Sequence, residues 1–596
     1  PKGMDYERWA LIRGIDATGY VRLFIEAGPV DQWSISGVRN WVNQLIQTTY
    51  SDERNQALSM AIITGSRTLL SDQDWDNLKR TGTTHLAVIS GLHIGFIALL
   101  GWWVVKGISW VFRVKENRLA LCLFPLFLAA LYMLLAGAQV PVQRAFIMLL
   151  VLLLSGYKLV VIDPWDRWLL ALVAVLSFSP LALYETGFWL SFAAVALLIH
   201  LARMDFSKWK LFKLQWLLLL GMLPLYSVFF ASVSLVAPLV NLVLIPLMSL
   251  VVPLVFIDLF LGQLSLSFLH PVVDLLLDLF WWVVDVAAQP EWVYQATEYS
   301  KGVILGFSIL GGIILILPFN AVSKAVGLCC LLPMFVQERP QVNEDQEFSA
   351  WIYDVGQGLS VLIKVNEYYL LYDTGPGYRN GSAFPRQILP HLNSLGVEQL
   401  NAVVLSHNDI DHVGGLDDLQ KNLKTQQFYS SYPLKNKGAL LSDITRCEEG
   451  MSWDIDGVSF RFLLGTEGKN DNEKSCVLLV NNHDCSLLIP GDIGASTESR
   501  LIPQRAPLTW LVAAHHGSRY STSNFFLRQW QPENIVYSAG YANHFGHPHP
   551  DVIARANARS VVQYQTAKRG AVMLEASKAN GCTVNTIRED NKRFWR

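Results

Sequence analysis

The sequence contains few charged residues. Only 16% of its 596 residues are Asp, Glu, Lys or Arg, whereas 52% are hydrophobic. Soluble globular domains carry about 25% charged residues. This shortage excludes a disordered chain and argues against a protein that is soluble throughout its length. The apolar residues form long runs between residues 84 and 336, and the composition of the later part is ordinary. We therefore predict a polytopic membrane domain followed by a soluble domain.

An excess of charge of one sign is also absent. The chain has 47 basic and 49 acidic residues, which gives a formal net charge of −2. A protein that binds nucleic acid over a broad surface would be strongly basic. Any contact with nucleic acid must therefore come from a local site.

Cysteines at metal-site spacing are absent as well. None of the seven cysteines forms a Cys-x-x-Cys pair or a Cys/His finger, which argues against a cysteine zinc site. Cys476 and Cys485 flank a predicted hairpin turn at Asn481-Asn482, so a disulfide between them is an option in an oxidising compartment. We favour the alternative, in which the cysteines of the soluble domain are free buried thiols.

The N-terminal part lacks a hydrophobic signal segment. The chain opens with Pro1-Lys2-Gly3-Met4, and we expect a longer protein to continue upstream. Residues 1–35 have strand-forming character, because Tyr20–Ile25 alternates apolar and polar residues. Residues 36–83 are predicted to form amphipathic helices, arranged as a hairpin at the membrane surface.

The apolar runs predict about eight to ten membrane helices, since a spanning helix needs about 20 apolar residues. Basic clusters follow the first and fifth runs and should be cytoplasmic. The side on which the soluble domain lies stays open, because the number of runs is uncertain. The runs are 84–105, 119–137, 143–160, 168–181, 184–202, 215–233, 236–260, 266–288, 302–319 and 321–336. The clusters are Lys106, Arg113, Lys115 and Arg118, and Arg203, Lys208, Lys210 and Lys213.

A polar linker, 337–347, precedes the soluble domain, 348–596. Short β-type runs alternate there with helical stretches, which predicts one α/β domain. The predicted strands are 348–354, 361–365, 368–372, 402–405, 477–480, 487–489 and 510–513, and the predicted helices are 384–395 and 412–420.

The strongest chemical signal is the run from Ser406 to Gly415. It follows the apolar strand Val403-Val404-Leu405 and places His407, Asp409, Asp411 and His412 within six positions. Imidazole and carboxylate side chains together suit Zn²⁺ or Mn²⁺. A polar loop with an accidental histidine pair is the alternative, which we disfavour because later segments supply further ligand types.

Those later segments also lie at predicted strand ends. Side chains on the ends of several strands meet at one rim of a sheet. Two metal ions bridged by a carboxylate there would suit hydrolysis of phosphoesters. The additional candidates are Asp373, Asp492, His515, His516, His544, His547 and His549.

The soluble domain resembles the metallo-β-lactamase fold, an αββα sandwich whose motif is His-x-His-x-Asp-His. Here Asp409 stands in place of the second histidine. This variant, with Asp354–Gly358 upstream and His515–Ser518 downstream, resembles the ComEC family of DNA-internalisation competence proteins. Further similar segments are Gly82–Gly95, Phe188–Phe192 and Ala237–Asn241 in the membrane domain, and Asp5–Trp9 and Gly14–Val21, which are similar to the end of that family's OB-type β domain. The resemblance implies that residues 1–35 are the remnant of this domain and that an N-terminal part is missing.

The resemblance also implies roles for the site residues. One metal would be bound by His407 and Asp409, the other by Asp411 and His412, with Asp492 as the bridge. The last ligand is left open among His515, His516 and His547, one of which could instead contact the scissile phosphate or protonate the leaving group. Asp373 would support the ligating histidines. The resulting expectations are metal ligands His407, Asp409, Asp411, His412, Asp492, His515 and His547, and catalytic residues Asp373, Asp411, His515 and His516.

Three positions depart from the family pattern. Asp409 replaces an imidazole with a carboxylate, which favours a harder metal such as Mn²⁺. Ser475 stands near the position where many enzymes of the fold carry a further histidine. Leu359 follows Gly356-Gln357-Gly358 where the family usually has Asp. Leu359 and the missing histidine near Ser475 raise the hypothesis of an inert hydrolase.

The segment from Gly82 to Gly95 carries polar residues into an apolar helix. Polar side chains are costly in lipid, so we expect them to face protein or a water-filled path for DNA; helix packing with satisfied hydroxyls is the alternative. Arg144 is a further candidate, which contacts DNA phosphate or extends to the headgroups. The candidate DNA-path residues are Thr84, His85, Ser90, His93 and Arg144.

The resemblance implies an inner-membrane channel for single-stranded DNA uptake in natural transformation. The metallo-hydrolase domain, loaded with two divalent metal ions (Mn²⁺ or Zn²⁺), would degrade the other strand on the periplasmic side. DNA and the lipid bilayer would be its partners, together with an external DNA receptor and a cytoplasmic helicase. The alternatives are a membrane-anchored phosphodiesterase acting on a lipid or cell-wall polymer, and a DNA channel with an inactive hydrolase domain.

Overall fold

The computed structural model divides into two compact units. The membrane unit comprises Ile12–Gln337, and the soluble unit comprises Glu338–Arg596 with Pro1–Leu11. The residues described are 6–12, 15, 34–115, 117–157, 162–203, 210–230, 232–289, 293–295, 302–317, 320–332, 346–378, 381–432, 444–464, 470–503 and 507–590.

The described N-terminal residues do not form a strand of the expected β remnant. Residues Tyr6–Ile12 are a helix, α1, because this segment lacks the alternation of a strand. The predicted strand Tyr20–Ile25 lies outside the described residues.

The membrane unit is helical. Helices α5 to α14 coincide with the ten predicted apolar runs, but the first of them begins at Gly91 rather than near residue 84. Within the described residues, three helices are long and apolar enough to cross a membrane: α5, α6 and α11. The helices are α2 (Ile35–Thr49), α3 (Glu53–Ile63), α4 (Asp72–Arg80), α5 (Gly91–Val111), α6 (Arg118–Leu135), α7 (Val140–Tyr157), α8 (Pro164–Phe178), α9 (Thr186–Ala202), α10 (Lys210–Phe230), α11 (Ala237–Gln263), α12 (His270–Ala288), α13 (Gly302–Ile316) and α14 (Ala321–Leu331). Strands β1 (Ser232–Ser234) and β2 (Val293–Gln295) pair antiparallel.

Helix α3 packs against other helices of the membrane unit, and the expected position of residues 36–83 at the membrane surface stays a prediction. Its residues Leu58, Ala61 and Ile62 are fully buried in a core shared with α11 and α12. The polar N-terminal turn of α3 finds partners there: the Asn55 amide donates to Asp274 and Asp278 of α12 at 2.8 and 2.7 Å. Burial of α3 is possible because these polar groups are paired.

Arg54 completes this polar contact. Its guanidinium donates two hydrogen bonds to Asp285 of α12, at 2.8 and 3.0 Å, and one to Asp74 of α4 at 3.0 Å. The acidic residues of α12 are thus tied to α3: Asp285 pairs with Arg54, and Asp274 and Asp278 accept from the Asn55 amide.

The soluble unit contains two sheets. Strands of the eight-stranded sheet follow the order β10-β9-β8-β5-β4-β3-β18-β19, and those of the seven-stranded sheet the order β11-β12-β13-β14-β15-β16-β17. The strands are β3 (Gln346–Ile352), β4 (Val361–Val365), β5 (Tyr368–Tyr372), β6 (Gly377–Tyr378), β7 (Gly381–Ser382), β8 (Gln399–Leu405), β9 (Lys424–Ser430), β10 (Ile444–Arg446), β11 (Ser452–Ile455), β12 (Val458–Phe462), β13 (Leu478–Asn481), β14 (Ser486–Ile489), β15 (Trp510–Val512), β16 (Asn534–Tyr537), β17 (Val562–Gln565), β18 (Val572–Ser577) and β19 (Gly581–Thr586). The helices are α15 (Leu389–Ser394), α16 (Ile410–Val413), α17 (Leu416–Asn422), α18 (Ala495–Glu498), α19 (Asn524–Trp530), α20 (Pro550–Asn557), α21 (Thr566–Arg569) and α22 (Ile587–Asp590).

The two sheets pack face to face. Alternate residues of strands from both sheets, among them Val361, Phe460 and Trp510, form one buried core between them. A second core lies between the eight-stranded sheet and helices α15 and α17. A third lies between the other sheet and helices α19 and α20. These layers are the expected αββα sandwich.

The four cysteines of the soluble unit form two disulfides, Cys447–Cys476 and Cys485–Cys582. Our preference for free thiols was therefore wrong, and so was the Cys476–Cys485 pairing. Cys485 precedes β14 while Cys582 lies on β19, in the other sheet. Packing of the two sheets brings together residues that are 97 positions apart, and sequence spacing does not reveal such pairs.

We predict that Arg54→Ala lowers the free energy of unfolding by about 1–3 kcal/mol, because hydrogen bonds between charged groups contribute about 1.5–3 kcal/mol each and Arg54 is partly exposed. Thermal or denaturant unfolding of the detergent-solubilised chain measures this change. Arg80→Ala is the matched control: Arg80 forms one exposed pair with Asp76 at 2.7 Å and should change stability by less than about 0.5 kcal/mol. Equal effects of the two variants would contradict a structural role of Arg54.

Candidate metal centre

Polar side chains meet at the carboxyl ends of neighbouring strands. Strands β5 and β8 are parallel neighbours, and Asp373 and His407 follow their ends. Strands β14 and β15 are parallel neighbours in the other sheet, and Asp492 and His516 follow them. Both sheets therefore contribute ligand-type residues to the same rim, as the sequence predicts.

Asp373 organises the first part of the site. Its carboxylate is fully buried. It accepts hydrogen bonds from the Ser406 backbone N–H at 2.8 Å and the Ser406 hydroxyl at 2.7 Å. The His412 Nδ1 atom lies 2.7 Å from the same carboxylate. Since a carboxylate accepts, Nδ1 carries the proton and Nε2 of His412 is left with a free lone pair.

Two further imidazoles are held in the same way. The Nδ1 atom of His516 donates to the Ser538 carbonyl at 2.9 Å. The Nδ1 atom of His407 lies 2.9 Å from the Ser406 hydroxyl. An imidazole whose Nδ1 contacts a neighbouring oxygen presents Nε2 to a metal. All three imidazole rings therefore direct Nε2 into the site.

Two groups of potential ligands occur among the described residues. The first is His407, His412 and Asp492, and the second is Asp411, His412 and His516. Within each group the ligand atoms lie within 4.8 Å of one another. His412 belongs to both groups, and its Nε2 lies 3.2 Å from Nε2 of His516 and 3.2 Å from Oδ1 of Asp492.

The atoms present fit a divalent metal ion. Nε2 of His407 and Oδ1 of Asp492 are buried and have no hydrogen-bond partner within the described residues. A buried polar atom without a partner is costly, and a cation would satisfy both. Three imidazoles and two carboxylates also form a donor set of the type that Zn²⁺ and Mn²⁺ accept.

The charges in the site are strongly coupled. Burial disfavours the Asp492 carboxylate, but the nearby His412 and His516 hold its pKa well below the ordinary value. Burial likewise opposes a charge on His412, yet Asp492 and Asp373 raise its pKa well above the ordinary value. A metal ion would replace the proton that these groups share.

Three expected ligands lie outside both groups. The Asp409 side chain is 48% exposed, and its Oδ2 lies 3.4 Å from Nε2 of His407. Nε2 of His515 lies 3.6 Å from Oδ2 of Asp492, at the partly exposed mouth of the site. The ring of His547 is 5.9 Å from that of His515, centroid to centroid. His516, rather than His515 or His547, belongs to a ligand group. The turn at Ala514–Gly517 directs the adjacent side chains of His515 and His516 differently.

Ser475 supports the carboxylate of Asp492 through the backbone. The Ser475 hydroxyl accepts a hydrogen bond from the Asp492 N–H at 3.1 Å and donates to the Asn472 carbonyl at 2.7 Å. Gly491, at a φ of +62°, lets the chain pass close: a Cβ there would lie 2.7 Å from that of Ser475. The sequence indicated Ser475 only as a missing histidine, and its contact with Asp492 had no sequence signal.

Leu359 and Ser538 lie outside the ligand groups and help to position the loop that carries Asp411. Leu359 has a buried side chain in the core, and its N–H donates to the Asp411 carbonyl at 3.2 Å. Gly358 precedes it at a φ of +139°, where a Cβ would lie 2.3 Å from that same carbonyl. The hydroxyl of Ser538 donates to the Gly358 carbonyl at 2.7 Å. The Gly-Gln-Gly segment thus positions the Asp411 loop, and sequence reasoning gave no role to Ser406 or Ser538.

The candidate DNA-path residues of the membrane unit lie in two places. Thr84 and His85 precede α5 rather than lying on it, because the chain forms turns up to Ser90. Nδ1 of His85 lies 3.1 Å from the Gly82 carbonyl. The N–H of Ser90 donates to Nδ1 of His93 at 3.3 Å, and Nε2 of His93 is buried without a partner within the described residues.

Arg144 is buried within the membrane unit. Its side chain is buried on α7 and pairs with Glu185, next to the first turn of α9. Gly187 provides the space, since a Cβ there would lie 2.8 Å from the guanidinium. The buried charge is compensated inside the protein, and the role of Arg144 on a DNA path stays a prediction.

Comparison with known proteins covers both units. The family model described as Competence protein matches residues 62–321, and that of the metallo-beta-lactamase superfamily matches residues 353–540. Competence protein ComA of Neisseria gonorrhoeae is 33% identical over 614 residues, which cover 96% of this chain and 82% of the relative. Recombination protein 2 of Haemophilus influenzae is 28% identical, covering 96% and 77%. ComE operon protein 3 of Bacillus subtilis is 26% identical, covering 86% and 70%.

The metallo-beta-lactamase fold protein YhfI from Bacillus subtilis is a structural neighbour, at 14% identity and a TM-score of 0.27, covering 37% of this chain and 95% of that one. Both family domains occur here in the same order along one chain, and the identity to a competence protein extends over nearly its whole length. The chain therefore belongs to the ComEC family of competence proteins, in which a competence membrane domain is joined to a metallo-β-lactamase domain.

Proposed function

We propose that this competence protein conducts single-stranded DNA across the inner membrane and that its soluble unit is a metal-dependent nuclease that degrades the other strand. The observation that carries the nuclease proposal is the convergence of His407, His412 and Asp492 in one buried group. Two of its ligand atoms, Nε2 of His407 and Oδ1 of Asp492, have no hydrogen-bond partner within the described residues. In the same chain, the competence domain supplies the membrane part.

We assign the metal ligands from the geometry. His407, His412 and Asp492 would hold one divalent ion, and Asp411, His412 and His516 are placed for a second. When bound, such an ion polarises a phosphoryl oxygen and lowers the pKa of coordinated water. Asp409 lies at the exposed side of His407, where rotation of its side chain would add a carboxylate to the first group.

The remaining polar groups have positioning and proton-transfer roles. Asp373 orients His412, and Ser475 fixes the backbone of Asp492. His515 lies at the mouth with Nε2 3.6 Å from Asp492. Burial lowers its pKa, so the ring is neutral at neutral pH and can accept a proton from the attacking water.

Two lines of evidence support a periplasmic soluble unit. Its two disulfides are typical of an oxidising compartment. In addition, the basic segment between α5 and α6 should be cytoplasmic. Nine crossings after that segment, by α6 to α14, would bring the chain to the external side; among the described helices α5, α6 and α11 have the length and hydropathy of a span.

A channel with an inert hydrolase is the second candidate. Asp409 favours this candidate because it lies outside both ligand groups. Ser475 also favours it: its hydroxyl accepts from the Asp492 N–H, near the position where many enzymes of the fold carry a metal-binding histidine. The following experiment separates the two candidates.

We expect the full-length protein in detergent to cleave single-stranded DNA with Mn²⁺ and to lose this activity in EDTA. Asp492→Asn should lower kcat at least about 10³-fold, because it removes a charged ligand of a buried metal site. Asp484→Asn is the control, since Asp484 lies on the exposed turn between β13 and β14. Absence of cleavage by the unmodified protein with any divalent metal would favour the inert hydrolase.

The two adjacent histidines should behave differently. His516→Ala should weaken Mn²⁺ binding by more than about 100-fold, because loss of even an outer-shell partner costs 10- to 100-fold. His515→Ala should retain the metal and lower kcat by about 10²- to 10⁴-fold, as loss of an acid–base group does. Metal content and binding isotherms, together with kcat, distinguish them. Equal loss of metal in both variants would contradict the assignment of His516 as the ligand.

Labelling of introduced cysteines tests the location. Lys578→Cys lies on the exposed turn between β18 and β19, and Lys115→Cys lies on the exposed segment between α5 and α6. In spheroplasts, a membrane-impermeant maleimide should label the first variant directly and the second only after permeabilisation, with the unmodified chain giving the background. The reverse pattern would place the soluble unit in the cytoplasm.

A further inference from the structure

An exposed aromatic loop borders the candidate metal centre. This loop, residues 540–549, follows β16 and leads into α20. The Tyr541 side chain is 84% exposed and that of Phe545 is 55% exposed. Large apolar rings are usually withdrawn from water unless they contact a partner. Two of them on one short loop therefore require an explanation.

The loop is held in one shape by its own hydrogen bonds. The Asn543 amide donates to the Gly540 carbonyl at 2.8 Å and to the carbonyl of His547, and its oxygen accepts from the His547 N–H at 3.0 Å. The His549 N–H donates to the Gly517 carbonyl at 2.8 Å, which ties the loop to the turn that carries His515 and His516. The rings are thus presented at a defined distance from the site, and little conformational entropy is lost on binding.

A series of nearly parallel rings leads from Phe545 to the ligand group. The centroids of Phe545 and His547 are 5.6 Å apart with an interplanar angle of 21°. Those of His547 and His516 are 6.5 Å apart with an angle of 25°. His516 belongs to the second ligand group. The exposed ring of Phe545 is thus two ring contacts away from the second ligand group, and the His544 ring lies beside it with centroids 3.7 Å apart.

We propose that Phe545, assisted by Tyr541, is a stacking platform for the bases of a single-stranded nucleic acid whose backbone enters the metal centre. Every base offers an aromatic face, so stacking suits a substrate of any sequence. In a duplex these faces are covered by neighbouring base pairs, and the platform therefore selects the unpaired strand. This inference rests on the proposed nuclease function and extends it to the substrate: strand separation precedes cleavage.

The test compares an oligonucleotide with its abasic counterpart. Fluorescence anisotropy of the full-length protein in EDTA measures binding of labelled dT₂₀ and of a 20-mer of abasic phosphodiester units. We expect Phe545→Ala to weaken dT₂₀ binding by about 5- to 100-fold, as loss of one base stack does, and to leave abasic binding unchanged. Phe545→Trp, which keeps an aromatic face, should retain the preference for dT₂₀.

Controls separate stacking from a structural effect. Phe525→Ala removes another exposed ring of the soluble unit, 43% exposed on α19, and should change neither affinity. An equal loss for both ligands, or a loss matched by Phe525→Ala, would overturn the platform. If the unmodified protein does not cleave dT₂₀ with any divalent metal ion, the nuclease proposal fails, while the anisotropy result in EDTA still decides the stacking.

Discussion

A single buried carboxylate, that of Asp373, organises the candidate site. It accepts hydrogen bonds from the backbone and the hydroxyl of Ser406 and contacts Nδ1 of His412. Because His412 is common to both ligand groups, the orientation of this one ring determines where either metal ion could bind. Asp373 has a φ of +56°, a conformation that is unfavourable for a residue with a Cβ and that is kept only where its contacts compensate.

Buried polar groups of the membrane unit also depend on specific partners. Each buried polar group that we described near α3 and α7 lies against a partner on a different helix: Asn55 against Asp274 and Asp278, and Arg144 against Glu185. Charges in an apolar interior are tolerated when they are paired. These pairs connect helices that are distant in sequence, so they contribute to how the helices pack.

The proposals for the two units agree on the order of events. A nuclease outside the membrane has to act before DNA enters the channel, and a site that stacks unpaired bases has to act after the strands separate. Separation at the outer face would supply one strand to each unit. The two disulfides, the basic segment between α5 and α6 and the exposed aromatic loop are the observations from which these proposals are argued.

Local sequence patterns predicted the elements well. Strands 361–365 and 368–372 were predicted residue for residue, because alternation and a turn between them are encoded within a few positions. The apolar runs likewise predicted helices α5 to α14, since helix length follows from the run of apolar residues. The motif from His407 to His412 and the residue Asp492 were recognisable because metal ligands at strand ends have a short-range signature.

The sequence by itself thus determined the two kinds of domain, the order of their elements and most of the ligand types. Only the tertiary structure decided which of two adjacent histidines joins the ligand group, that Asp409 stays exposed, which cysteines pair and that Arg144 meets Glu185. Each of these choices depends on distances between residues that are far apart along the chain. Such distances are fixed by strand order, register and the packing of one layer on another, none of which is contained in local spacing.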